Sequence, residues 1–196
     1  PIEPGDIVSI DSGLKYLGYE TDYKRTAYVL KPGESEPPDS IQEAWQTTIS
    51  ISDVYIKEMV PGRVGHEVWA AIVDQVRKRG YRVVGPDAGG RAATDTRLEI
   101  GVYGHSVGNN SHDIGARIAQ DLPFAYGERV RFPLVEGEFV SVEFHLSTPI
   151  PEWDGKTWYS RFEENARLGA QTVEWLIPRQ EKLILIQPAG GLKTSL

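Results

Sequence analysis

Residues 5–30 read GDIVSIDSGLKYLGYETDYKRTAYVL. In Gly5 to Gly13, apolar Val8 and Ile10 alternate with Ile7, Ser9 and Asp11, the period of a strand. Leu14 to Gly18 supplies turn residues, and Tyr19 to Leu30 is rich in Tyr, Thr and Val. The stretch therefore reads as a β-hairpin. With the turn centred between Tyr16 and Leu17, Asp11 and Asp22 face each other directly. Like charges placed so destabilise a strand pair, and a bound cation removes the objection. The plainer alternative is two solvated aspartates beside a turn.

The same alternation recurs further on. In Glu138 to Leu146 (EFVSVEFHL), Val140, Val142 and Phe144 share one face, and Ser141, Glu143 and His145 the other. Lys156 to Glu164 (KTWYSRFEE) reads as the partner strand, with Tyr159, Arg161 and Glu163 on one face. Asp11, Asp22, His105, Glu143 and Glu163 together offer four carboxylates and one imidazole. That donor set suits two divalent ions of the Mn²⁺, Co²⁺ or Zn²⁺ kind, manganese favoured. Without metal, such a cluster of carboxylates repels itself and some must protonate.

At these residues the chain resembles the M24 metallopeptidases, the pita-bread enzymes that include aminopeptidase P, prolidase, methionine aminopeptidase and the metal-free creatinase. The hairpin Asp11-Ser-Gly13…Gly18-Tyr19-x-x-Asp22-x-x-Arg25-Thr26 resembles the family's metal hairpin. Gly104-His105-Ser-Val-Gly108-x-x-x-His112-Asp113 is similar to its histidine loop. Glu136 to Glu143 and Arg161-Phe-Glu163-Glu164 resemble its two glutamate strands, and Glu174 to Arg179 its closing segment. The resemblance implies an α+β pita-bread fold: a curved antiparallel sheet with covering helices in one catalytic domain over 1–196. It also implies that the domain's N-terminal segment precedes this chain.

The resemblance also implies roles. Asp11 would chelate one ion, Asp22 and Glu163 would bridge both, and His105 and Glu143 would bind the second. Glu143 would double as general base, His112 would contact the substrate carbonyl, and Arg161 would orient Glu163 or the substrate. The His112-Asp113 pair resembles the proline-specific members, so the implied activity is hydrolysis of Xaa-Pro bonds in small peptides by a homodimer. Three departures stand out. Gly101 occupies the place of a family histidine four residues before the metal histidine, and Glu143 is followed by Phe144-His145 rather than Pro-Gly. The glycine that precedes the Arg-x-Glu strand is also absent. His145 shares the face of Glu143 and reads first as an ordinary polar strand residue, with partial replacement of the lost donor as the alternative. A non-catalytic binding module and a creatinase-like amidino-hydrolase are the competing readings.

The remainder reads as scaffold. Ser40-x-x-Glu43 is a capping-box signature opening a helix to about Met59, with Ile41, Trp45, Ile49, Ile56 and Met59 at helical spacing. A second helix spans about His66 to Arg79, capped by Gly80. His66 reads as a helix-start residue. Gly85 to Gly90 (GPDAGG) lacks the Lys-Ser/Thr of a phosphate loop and reads as a connection bordering the active site. For a proline pocket the available aromatics are Tyr19, Tyr103, Phe144 and Trp153. A net charge of −7 argues against nucleic acid as partner. No apolar run reaches membrane length, no cysteine is present, and the cytoplasm is the default location.

Overall fold

The computed structural model describes residues 1–85, 98–154 and 156–187. Most of the GPDAGG stretch lies outside the described residues. The hairpin forms as expected: β1 (Ile7–Ser12) pairs antiparallel with β4 (Tyr23–Val29), and the short β2 (Lys15–Tyr16) with β3 (Tyr19–Glu20). Its register differs from the expectation. Leu17 and Gly18 form the turn, both with positive φ (48° and 87°), the two-residue geometry that matches strand twist. The whole hairpin therefore pairs two positions further along, and Asp11 stands opposite Lys24, not Asp22. An opposite-charge pair replaces the like-charge pair.

A five-stranded sheet forms the other half of the structure, in the order β5 (Arg82–Val84), β6 (Glu99–Val107), β7 (Phe139–Pro149), β8 (Thr157–Leu168) and β9 (Val173–Trp175). Its pairings are antiparallel except β5 with β6. The short β10 (Ile184–Ile186) adds a parallel edge to β4. The two expected glutamate strands pair directly, Glu143 opposite Glu163. This register follows from the apolar face, since a slip of one residue would turn Val142 and Phe144 out of the core.

Two helices cover one face. α1 (Asp39–Glu58) lies over β7 and β8, and α2 (Gly65–Lys78) over β5 and β6. The α1 stripe runs Ile41, Trp45, Thr48, Ser52, Tyr55 and Met59, all buried, while Ile56 is half-exposed. Tyr55 takes the place expected of Ile56 because steps of three and four track the 3.6-residue turn more closely. Helix α1 begins one residue before Ser40, whose hydroxyl donates to Glu152 instead of capping. Gly80 closes α2 at φ 90°, and its N–H donates to the Arg77 carbonyl. His66 Nδ1 lies 3.1 Å from the Val130 carbonyl, so it ties the helix start to a neighbouring loop.

Aromatic contacts join helix to sheet. Trp45 stacks on Trp158 at 6.2 Å, Tyr55 on Phe144 at 5.1 Å, and Phe144 on Phe162 at 4.9 Å. The Tyr55 hydroxyl donates to the Glu143 carbonyl (3.0 Å) and accepts from the Tyr103 N–H (3.2 Å). One buried side chain thus fixes β6 and β7 at the height of Glu143. Truncating Phe144→Ala should cost about 3–5 kcal/mol of unfolding free energy, and Tyr55→Phe about 1–2 kcal/mol, both read by urea denaturation.

Candidate metal centre

The face of β6, β7 and β8 turned away from the helices lies under the hairpin. Asn165 on β8 accepts the Asp22 N–H (2.9 Å) and donates to the Asp22 carbonyl (2.5 Å). This two-point clamp presents the Asp22 side chain to the sheet. Further along, the Arg25 guanidinium pairs with buried Glu164 at 3.0 Å. The Gln180 amide accepts from and donates to the Thr26 backbone.

All five expected ligand residues converge here. Asp11, Asp22 and Glu163 bring one carboxylate oxygen each within 4.8 Å of one another, as do ligand atoms of His105, Glu143 and Glu163. A third set joins Asp22, His105 and His112. His105 is 5% exposed. Its Nδ1 lies 3.1 Å from the Ser106 carbonyl, which can only accept, so Nδ1 carries the proton. Among the described residues its Nε2 has no hydrogen-bond partner, and it faces three carboxylate oxygens: Glu163 Oε1 at 3.5 Å, Glu143 Oε2 at 3.7 Å and Asp22 Oδ2 at 4.0 Å. A buried nitrogen aimed at acceptors without a bond calls for a cation among them. The imidazole-and-carboxylate donor set fits a divalent metal there.

Sequence reasoning missed the residue at the centre of the cluster. The Lys24 ammonium bonds Glu163 Oε2, lies 3.1 Å from Glu143 Oε1 and 3.2 Å from Asp11 Oδ2, and is nearly buried. The period of two already put Lys24 on the face of Asp22. Ser141 was placed on the correct face but given no role; its hydroxyl donates to Glu163 Oε1 at 2.6 Å. Ser141 and Lys24, rather than Arg161, hold Glu163. Arg161 instead lies over the Tyr159 ring, 5.6 Å from its centroid.

The electrostatics follow from crowding. Burial raises the Asp22 carboxyl, and Glu163 adds to the rise against His105 and Lys24, pushing it up to about 6. Burial and Glu163 also raise Glu143. Burial would raise Glu163 too, but the His105 ring beside it, the Lys24 charge and the bonds from Lys24 and Ser141 win and hold it at about 2. His105 is raised because Glu163 and the Ser106 carbonyl outweigh its burial.

A cavity of about 330 Å³ opens on this cluster. His112 stands at its rim, 58% exposed, 3.5 Å from Asp22 Oδ2 and 4.0 Å ring to ring from His105. Asp113 folds its own loop, accepting from the Asn109 and Ile114 N–H groups. Tyr103, Phe144, Tyr159 and Arg161 line the far wall with His145. Tyr19 instead packs edge-on to Phe139, and Trp153 packs against the core.

His145 fills the space beside Gly101. A Cβ added to Gly101 would lie 2.1 Å from His145 Cε1 and 2.6 Å from the Tyr103 hydroxyl. The ring lies against Tyr159 at 4.2 Å, and burial with the charges of Arg161 and Lys24 pushes its pKa down to about 3. It is a neutral imidazole at the cavity wall. Gly101→Ala should therefore overpack the wall and destabilise by about 1–3 kcal/mol. The double variant with His145→Ala should recover part of that loss, a coupling read by a urea-denaturation cycle.

Asp22 gives a pH prediction. Its folded pKa lies above the ordinary 3.8, so its contribution to stability is full below that value and lost as pH rises through about 6. Glu163 acts in the opposite sense, stabilising above its ordinary 4.5 and losing that contribution as pH falls through about 2. For the metal-free chain, Asp22→Asn should therefore raise stability at pH 7 by about 1–2 kcal/mol after allowance for solvent screening. It should flatten the stability profile between pH 4 and 7, measured by thermal melts with chelator present.

The sequence pattern described as Metallopeptidase family M24 matches residues 1–172. The uncharacterized peptidase YqhT of Bacillus subtilis (strain 168) is 32% identical over 80 residues, 41% of this chain and 21% of that protein. The X-Pro aminopeptidase from Thermotoga maritima MSB8 superposes with a TM-score of 0.65 at 22% identity, over 94% of this chain and 42% of that one. Dipeptidase PepE from Mycobacterium ulcerans gives 0.62 at 21%, over 95% and 42%. The methionine aminopeptidase from Rickettsia prowazekii gives 0.58 at 20%, over 89% and 65%. The chain thus spans about two-fifths of the length of the first two structures and about a fifth of the curated relative. The likeness to the solved structures identifies the α+β architecture as the pita-bread fold. With the family pattern matching nearly nine-tenths of its length, the chain belongs to metallopeptidase family M24.

Proposed function

We propose that this chain carries the catalytic centre of a metal-dependent peptidase that cleaves Xaa-Pro bonds in short peptides. The observation that carries the reading is the buried, unpartnered His105 Nε2 facing Asp22, Glu143 and Glu163 at the floor of a cavity. A divalent ion held by Asp22, His105, Glu143 and Glu163 would supply a water acidic enough to act as nucleophile at neutral pH and would polarise the peptide carbonyl.

The chain's own side chains supply the rest. Glu143 has its pKa raised by burial and by Glu163 and opens on the cavity, which suits it to take a proton and return it to the leaving amine. His112 has its pKa lowered by burial and by His105, so it stands at the rim as a neutral donor toward the carbonyl oxygen. Arg161, braced on Tyr159, offers a cation to the carboxylate end of a short peptide. The cavity volume admits a ligand of dipeptide to tripeptide size. Preference for proline is supported by the His112-Asp113 pair and by relatives named as X-Pro aminopeptidase and prolidase. A homodimer is supported by exposed Ile10, Leu14, Tyr16 and Leu17 on the edge hairpin. Among the described residues, no helix is long and apolar enough to cross a membrane. A cytoplasmic location stays a proposal.

A second reading has one specific observation behind it. Lys24 offsets part of the carboxylate charge without any metal, as a non-catalytic binding module would require. Hydrolysis separates the two. The chain with Mn²⁺ should cleave an Xaa-Pro dipeptide or a longer Xaa-Pro peptide, lose activity with EDTA, and lose about 10²–10⁴-fold on Glu143→Gln with its fold unchanged. A folded, metal-loaded chain that cleaves neither peptide would favour the binding module.

A further inference from the structure

The two cation positions of the cluster are distinguished by the oxygens that face them. Lys24 Nζ takes Asp11 Oδ2, Glu143 Oε1 and Glu163 Oε2. The opposite oxygens, Glu143 Oε2 and Glu163 Oε1, face His105 Nε2 together with Asp22 Oδ2. Each of the two paired glutamates therefore spans two positions, one filled by an ammonium and one presented to an unpartnered imidazole nitrogen.

From this geometry we infer that Lys24 is a built-in substitute for one metal ion, so that the centre binds a single divalent ion on Asp22, His105, Glu143 and Glu163. The inference rests on the metal-dependent reading above and corrects only the expected count of two.

Space supports it. A divalent ion bonded to Asp11 and to the inner oxygens of the glutamates at about 2.0–2.2 Å would occupy the volume that Nζ fills. Lys24 is held in place by its backbone: it pairs with Asp11 across β1 and lies inside β4, with only 9% of its surface exposed. Turning it outward would remove a buried ammonium from three carboxylates, which is strongly unfavourable for both partners. Charge supports it too. One ammonium and one divalent ion against four carboxylates leave a single negative charge, the same as two divalent ions and a hydroxide would leave. On the His105 side, donors of His105, Glu143 and Glu163 lie within 4.8 Å of one another, with Asp22 Oδ2 4.0 Å from Nε2, and an ion of the Mn²⁺ kind, which takes about six ligands, keeps room for water beside them.

The test counts ions rather than turnover. The chain is loaded with excess Mn²⁺, passed through a desalting column and measured for metal per chain by mass spectrometry, with electron paramagnetic resonance on the same sample. The expected result is one Mn²⁺ per chain with the spectrum of an isolated ion. Lys24→Ala, and Lys24→Ser as a second variant, should rise to two ions per chain with a spin-coupled spectrum. Two coupled ions in the unsubstituted chain would overturn the inference and leave the peptidase reading intact. One ion in a folded Lys24 variant would overturn it as well, since Lys24 would then not limit the count. No ion in the folded, unsubstituted chain would overturn both the inference and the metal-dependent reading.

Discussion

Everything in this structure answers to the repulsion among four carboxylates gathered beneath one hairpin. Asp11 and Asp22 each approach Glu163 closely enough to share a cation with it, as does Glu143, and Glu143 and Glu163 sit directly opposite on paired strands. No strand pair adopts that arrangement for its own stability. The cluster persists because a cation and donors are built around it: Lys24 between three carboxylates, Ser141 on Glu163, and Asn165 on the Asp22 backbone. The compensation is unequal. Glu163, with the most partners, is held fully ionised, while Asp22 and Glu143 are raised. The remaining unfavourable charge lies on the side of His105, where a divalent cation gains most by binding.

The scaffold is arranged to prevent the cluster from relaxing. Repulsion would be relieved if β7 and β8 slipped or if the hairpin lifted from the sheet. Slippage is opposed by the aromatic stack of Tyr55, Phe144 and Phe162 behind the glutamates. Tyr55 adds hydrogen bonds to both neighbouring strands. Lifting is opposed by Asn165 at one end of the hairpin strand, and by the Arg25–Glu164 pair and Gln180 further along. Preorganisation of this kind lets binding energy serve the ion and substrate instead of assembling the site.

Much of this was legible in the sequence, and the limit of legibility has a physical cause. Period-two alternation in EFVSVEFHL and KTWYSRFEE placed Glu143 and Glu163 each on the polar-bearing face of its own strand, and the structure pairs them directly. The helices were legible from apolar spacing, with the exchange of Ile56 for Tyr55 as the local error. The hairpin register was not legible, because it depends on Leu17 adopting positive φ, a conformation unusual for leucine. That single turn decides whether Asp11 faces an aspartate or Lys24. Resemblance named the ligands but treated position 24 as a spacer, so it carried no information about a charge at the centre. Asn165 acts through the backbone of a residue 143 positions away, which no local pattern reveals.

Gly101 and Lys24 share one logic. At each, a position treated as simple loss or filler is coupled to a side chain that occupies the site. His145 from the neighbouring strand puts an imidazole where a side chain at 101 would project, and its neutral state lets it remain buried beside Arg161. Lys24 puts a fixed positive charge where a mobile ion would otherwise stand. Both groups are held by the backbone of a paired strand. A site altered in this way keeps its net charge and its wall while changing which atoms supply them. Without Lys24 or His145 the site would hold a buried carboxylate cluster unpaired or a void in the wall, each costing several kcal/mol.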